Sequence, residues 1–278
     1  MKNIIVAMDF STGALNALDY AIKIANTLQA NILLVWVDSC NTKESIIELG
    51  KNEIRRDAKL ELQRIKEEKS HALTGGSIKI KMRKGKVYQE LALQAKAVEA
   101  ELIVVGTHGI SGFEEFWIGS NAFKIITYAS CPVVSVRVDY DIDRPIKTIV
   151  LPIDNSMDST KKVPMAAKLA KSFNSEIHLL SIYTTNLSSL KKKVDRSMME
   201  AEKYLTKEKL TYFVEKKQSR NLPVTVIEYA NKVDADMVVI MTDQEKANLS
   251  ILVGDYSQKI INLSAMPILS VKPENLFN

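Results

Sequence analysis

The stretch "AELIVVGTHG", Ala100 to Gly109, decides the fold: a run of four apolar, mostly β-branched residues that breaks at a glycine-containing turn. A short continuous apolar run bounded by turn residues fits a strand covered on both faces, the kind found in parallel sheets. The same pattern returns as "ADMVVIMTDQ", Ala235 to Gln244. Further along, "WIGSNAFKIITYASCPVVSVR" from Trp117 aligns with "LVGDYSQKIINLSAMPILSVK" from Leu252 at the same offset and without a gap. The alignment pairs Gly119 with Gly254, Lys124 with Lys259 and Pro132 with Pro267. Internal self-similarity of this kind fixes the architecture before any single element does.

Upstream, "IIVAMDFS" from Ile4 corresponds to "IVLPIDNS" from Ile149, pairing Asp9 with Asp154 and Ser11 with Ser156. The offset is wider there, so the first copy carries the longer middle. Charged and turn-forming residues in "RVDYDIDRP", Arg137 to Pro145, separate the copies. Two homologous domains follow, at 1–140 and 145–278. A chain of 278 residues is long enough for two cores, and 46% hydrophobic with 26% charged residues is ordinary globular usage.

Each copy reads as alternating strands and helices. In the first, "NIIVAMD" is a strand, and Leu15, Leu18, Ile22, Ala25 and Leu28 recur at helical spacing. "NILLVWV" is the next strand. An amphipathic helix is expected over about Thr42 to Ala72, broken near Gly50, with Ile47, Ile54, Ala58, Leu62 and Ile65 as its apolar stripe. "SIKIKMR" alternates like a strand, "VYQELALQAKAVEA" is helical, and a helix over about Ser120 to Ala129 precedes the strand "PVVSVRV". The expected fold class is α/β, with two tandem doubly wound five-stranded, mainly parallel sheets.

In such sheets, ligands sit beyond the carboxyl ends of the strands at the point where strand order reverses. Gly106 ends a buried strand and opens the spacing G-x2-G-x9-G-S-N: Gly106, Gly109, Gly119, Ser120 and Asn121. Glycines allow close approach to the backbone, and the first amides of the following helix, at the positive end of its dipole, suit an anionic phosphate. The competing reading is a capped helix after a glycine loop, with Ser120 or Asn121 as the cap. No Gly-Lys-Ser/Thr follows, so this is not a Walker motif, and it is not GxGxxG.

The strand-Asp start "IIVAMDFS", the strand end "VVGTHG" and the G-x2-G-x9-G-S spacing together resemble the universal stress protein family, in its nucleotide-binding branch, across the whole chain twice. The resemblance implies an adenine nucleotide alpha hydrolase-like fold. It also implies an ATP cradle at Gly106, Gly109, Gly119, Ser120 and Asn121, which allows for Mg2+ alongside. By the same resemblance Asp9 lies near ribose or base, the backbone at Trp36 and Val37 against adenine, and Ala7, Met8 and Val105 line the pocket. Read bottom-up, Asp9 serves equally as a turn or cap residue, as do Ser11 and Thr12. The family also implies pairing of the last strands, as an intramolecular pseudo-dimer of the two halves, with a further homodimer open.

The second copy lacks the cradle: Met241, Gln244, Asp255 and Tyr256 stand where the first has Gly106, Gly109, Ser120 and Asn121, and only Gly254 is kept. Asp243 and Asp255 bring negative charge, which costs about 1–4 kcal/mol against a like charge near 4 Å. Nucleotide binding is therefore expected in the first copy alone.

Other features point away from chemistry. His108 lies in the glycine loop, and His71 and His178, on a helix and a strand, are far from metal-ligand spacing. No catalytic residue is assigned, and Lys124, matched by Lys259 in the degenerate copy, reads as structural. Cys40 and Cys131 form no CxxC, consistent with a reducing cytoplasm. The apolar runs are too short to span a membrane, and Asp9 interrupts the first strand too early for a signal peptide. A net charge of +5 with interspersed signs does not call for nucleic acid, and "LKKKVDR", Leu190 to Arg196, reads as a solvated helix face.

The function expected is a cytoplasmic stress-response protein that binds ATP in its N-terminal domain and acts as a regulatory or sensing module. The alternatives are a slow ATPase or nucleotidyl transferase, whose SGGxDS and HxGH signatures are missing, and a nucleotide-free protein-interaction module.

Overall fold

A computed structural model of the chain describes residues 2–39, 47–107, 118–156, 158–242 and 255–273. The chain forms two compact units, with the change of unit between Val138 and Asp139. The first contains β1 (Asn3–Met8), α1 (Thr12–Leu28), β2 (Asn31–Asp38), α2 (Ile47–Ser70), β3 (Ile78–Lys84), α3 (Val87–Ala97), β4 (Ala100–Gly106), α4 (Ser120–Tyr128) and β5 (Val133–Val136). Its strands run in the order β3-β2-β1-β4-β5, and all four pairings are parallel.

The second unit follows the same plan with β6 (Thr148–Ile153), α5 (Val163–Phe173), β7 (Glu176–Tyr183), α6 (Ser188–Lys207), β8 (Tyr212–Gln218), α7 (Leu222–Lys232), β9 (Met237–Met241), α8 (Asp255–Leu263) and β10 (Ile268–Val271). Its order is β8-β7-β6-β9-β10, again parallel throughout. Both sheets are the doubly wound α/β arrangement expected from the alternation of apolar runs and helical stripes.

The central strands are apolar because helices cover both faces. Ile4, Ile5 and Val6 of β1 and Leu102, Ile103 and Val104 of β4 are fully buried, as are Ile149, Val150 and Leu151 of β6 and Val238, Val239 and Ile240 of β9. Each such side chain contributes about 1.5–3 kcal/mol relative to an exposed one. Helix α1 buries Leu18, Tyr20, Ala21, Ile24, Ala25 and Leu28, and ends where Gln29 turns left-handed at φ 52° and donates its N–H to the Ala25 carbonyl. Helix α2 runs unbroken through Gly50 from Ile47, so the expected break is not there. Glycine costs a helix about 1 kcal/mol against alanine. Of the expected stripe, Ala58, Leu62 and Ile65 are buried and supply more than that loss, whereas Ile54 is exposed and the Ile47 side chain lies outside the described residues. Among the described residues no helix is long and apolar enough to cross a membrane.

Candidate functional site

Because every pairing in the first sheet is parallel, Met8, Asp38 and Gly106 end their strands on one edge. Strands β2 and β3 lie to one side of β1, and β4 and β5 to the other. The order therefore reverses between β1 and β4, where a crevice is expected at the carboxyl edge. Ala7, Met8, Val105 and Gly106 form the ends of these two strands. Met8 and Val105 are buried, and Ala7 and Gly106 are half-buried. Met8 is in register with Trp36 of β2, which places Trp36 and Val37, both half-buried, beside the same crevice.

Asp9 stands exposed just past β1. Its Oδ1 accepts from the Ser11 amide at 3.0 Å and the Ser11 hydroxyl at 2.6 Å, while Phe10 between them turns left-handed at φ 66°. Ser11 is the N-cap of α1: its Oγ accepts from the Ala14 amide at 3.1 Å. Of the three candidate caps, Ser11 does the capping and Asp9 holds it in place.

Helix α1 then begins at once, and its first turn lies against the end of β4. A Cβ built on Gly106 would sit 2.5 Å from the Gly13 carbonyl oxygen and 2.6 Å from its carbon. Gly106 is thus required by packing, quite apart from any ligand. Gly13, which the sequence reading passed over, is the partner in this contact. Its only sequence signal is a glycine in the first turn of an otherwise good helix.

Gly119 is different. Its φ of −56° suits any residue, and among the described residues a Cβ there would meet the Thr107 carbonyl oxygen alone, at an ordinary 3.5 Å. Its amide donates to that same oxygen at 2.8 Å, so the connection leaves and returns at one place beside Gly106. Gly119 is also the N-cap of α4, and no side chain caps the helix. The Ser120 and Asn121 side chains are exposed and take no part, contrary to the capping alternative. The first intrahelical bond runs from the Phe123 amide to the Gly119 carbonyl. The amides of Ser120, Asn121 and Ala122 therefore face outward from the helix start with no side-chain acceptor among the described residues. Gly109 and His108 lie outside the described residues.

The second unit has the same edge with different contents. Asp154 repeats the turn of Asp9, its Oδ1 accepting from the Ser156 amide at 2.9 Å, so this carboxylate has a structural task in both copies. No helix follows at once. The Asp154 amide donates to the Ser159 hydroxyl at 2.9 Å, residues 158–162 form turns, and buried Lys162 donates its Nζ to the Ser159 carbonyl at 2.8 Å. Helix α5 starts only at Val163, with a proline in its first turn. Met241, nearly fully buried, takes the place of Gly106. A side chain there and a helix start pressed onto the strand end exclude each other. Tyr256 is half-buried at the start of α8. Gln244, Asp243 and Gly254 lie outside the described residues, as does the Asp255 side chain.

No cluster of His, Cys, Asp or Glu able to hold a metal occurs among the described residues. His178 on β7 is tied up by the Tyr229 hydroxyl at 2.9 Å and Glu176 at 3.2 Å, and packs on Phe213 at 5.0 Å. Burial, then the Glu215 charge, pushes the Tyr229 hydroxyl above its usual pKa. His71 lies just past the end of α2. Lys124 points at the ring of Tyr88, 5.9 Å from its centroid, consistent with a structural role.

The profile of the Universal stress protein family matches the chain twice, over residues 1–137 and 145–272. Universal stress protein YxiE of Bacillus subtilis is 30% identical over 148 residues, 49% of this chain and 99% of its own. Universal stress protein MJ0531 of Methanocaldococcus jannaschii is 30% identical over 141 residues, 49% of this chain and 82% of its own. In fold, a universal stress protein from Archaeoglobus fulgidus superposes with a TM-score of 0.80 at 17% identity, covering 97% of this chain and 98% of that one. The double match and the repeated five-stranded sheet agree: the chain belongs to the universal stress protein family and carries the family's module twice in tandem.

Proposed function

We propose that the first unit binds ATP at its carboxyl-edge crevice and that the chain is a cytoplasmic regulatory or sensing module of the stress response. The observation that carries this reading is the start of α4 beside the strand end, a helix N-terminus with no side-chain cap, opened by a glycine that no packing contact among the described residues requires. A helix start of this kind favours a phosphate group, both by its free amides and by its dipole. In this reading Gly106, Gly109, Gly119, Ser120 and Asn121 hold the phosphates, with the Ser120 hydroxyl as a further donor and Mg2+ accompanying the triphosphate. Asp9 keeps one carboxylate oxygen in the turn and offers the other to the ribose. Ala7, Met8, Trp36, Val37 and Val105 supply the apolar surface for adenine. Regulation then requires only that ATP bind two conformations of the chain with different affinity.

The test is Gly119→Asp. Aspartate is a favoured N-cap and its Cβ fits, so the melting temperature holds or rises. Its carboxylate would occupy the phosphate position, and ATP affinity should fall by at least about tenfold in equilibrium dialysis. Unchanged ATP binding in this variant would remove the cradle from the account.

A further inference from the structure

At the carboxyl edge of the second unit, away from the crevice between β6 and β9, a cavity of about 400 Å³ opens between the ends of β7 and β8 and the start of α6. Tyr183, Lys191, Asp195, Lys216, Lys217 and Gln218 line it. Its volume falls in the range of about 300–1,000 Å³ usual for small-molecule sites.

Three lysines from two elements line the cavity with one acid, and the acid does not answer them. Lys191 and Asp195 are spaced i,i+4 on α6, the distance at which such residues pair on a helix. Instead, the Asp195 Oδ1 accepts the Tyr183 hydroxyl at 2.5 Å. Burial and that bond together raise the pKa of Tyr183, so it stays a neutral donor to Asp195. Lys217 reaches Glu215 at 3.2 Å. Lys191 and Lys216 have no ion pair among the described residues. Gln218 is held by its Nε2 bond to the Asn186 Oδ1 at 2.7 Å. Tyr183, Asp195 and Gln218 are thus held by hydrogen bonds beside two ammonium groups that lack an ion pair among the described residues, an arrangement that an anion would complement.

We infer that this cavity binds a phosphorylated small molecule, with Lys191 and Lys216 as the groups that hold its phosphate. An ammonium group is a compact charge with three rotatable donors, well matched to phosphate oxygens. The basic run Leu190 to Arg196 is therefore not uniformly a solvated face. Lys192 and Arg196 are exposed to water, while Lys191 belongs to the cavity. The site is independent of the ATP reading of the first unit.

The probe is inorganic pyrophosphate, titrated into the 15N-labelled full chain while the amides of Tyr183, Lys191, Asp195 and Lys216 to Gln218 are followed. Saturable shifts at these amides are expected. The double variant Lys191→Ala/Lys216→Ala should weaken them by about tenfold or more, since each lost contact is a charge-assisted hydrogen bond. Lys192→Ala/Arg196→Ala removes the same charge outside the cavity and should stay within about twofold of the parent, because neither side chain lines the cavity. Absence of saturable shifts, or equal weakening in both double variants, overturns the inference. All four positions are on the surface, and a melting curve for each variant confirms that it is folded.

Discussion

Two glycines at one strand edge have different reasons to be glycine. Gly106 meets the Gly13 backbone, so Gly106→Ala must push α1 off the strand end, and overpacking of this kind costs about 1–3 kcal/mol in denaturant unfolding. Gly119→Ala meets no such wall among the described residues, and its unfolding midpoint should change little. In the sequence the two look alike, because a missing Cβ reads the same whether backbone or ligand fills the space. Ser11 was one of three plausible caps on sequence grounds, and its bond to the Ala14 amide singles it out. Ser11→Ala should lower stability by about 1 kcal/mol in the same unfolding experiment, and an effect below about 0.3 kcal/mol would mean the cap contributes nothing.

At the scale of elements, strands and helices were legible wherever apolar periodicity was long, as in α1, β4 and the stripe of α2. The starts of α3 and α4, expected at Val87 and about Ser120, are also where the structure has them, but the start of α5 was not legible. Helix α5 begins only at Val163, after turns in which buried Lys162 donates to the Ser159 carbonyl, a bond that local spacing does not reveal. Long-range anchoring was equally hidden at the entry to β6. Asp236, buried at the approach to β9, accepts from Arg144 Nε, from the Lys147 amide at 2.7 Å and from the Thr148 amide at 2.9 Å. Asp236 and its three donors together fix the start of the second unit. Asp236→Ala leaves these donors without their acceptor and should cost about 2–3 kcal/mol. Tyr140 sits against the same group, and burial, then the Asp236 charge, pushes its hydroxyl up to about 12. The folded state then holds this proton more tightly than the unfolded state, whose tyrosine titrates near 10. The contribution is complete below about pH 10 and lost as pH rises to about 12. Tyr140→Phe should flatten the alkaline loss of stability, and an unchanged slope would place the cause elsewhere.

At the scale of the whole molecule, the repeat was the most legible feature, because every aligned strand and glycine reports on it at once. The asymmetry between the copies was legible as substitutions, and its physical form came only with the structure. The first unit has an early capped helix over a glycine, while the second has a stapled turn, a late helix and a buried methionine. That difference underlies the central claim, that an adenine nucleotide binds at one unit per chain. The direct test is to denature protein incubated with ATP and freed of excess, and to count the released nucleotide per mole of chain by mass spectrometry. The account predicts one adenine nucleotide per chain, whereas two per chain, or none after incubation with saturating ATP, would contradict it.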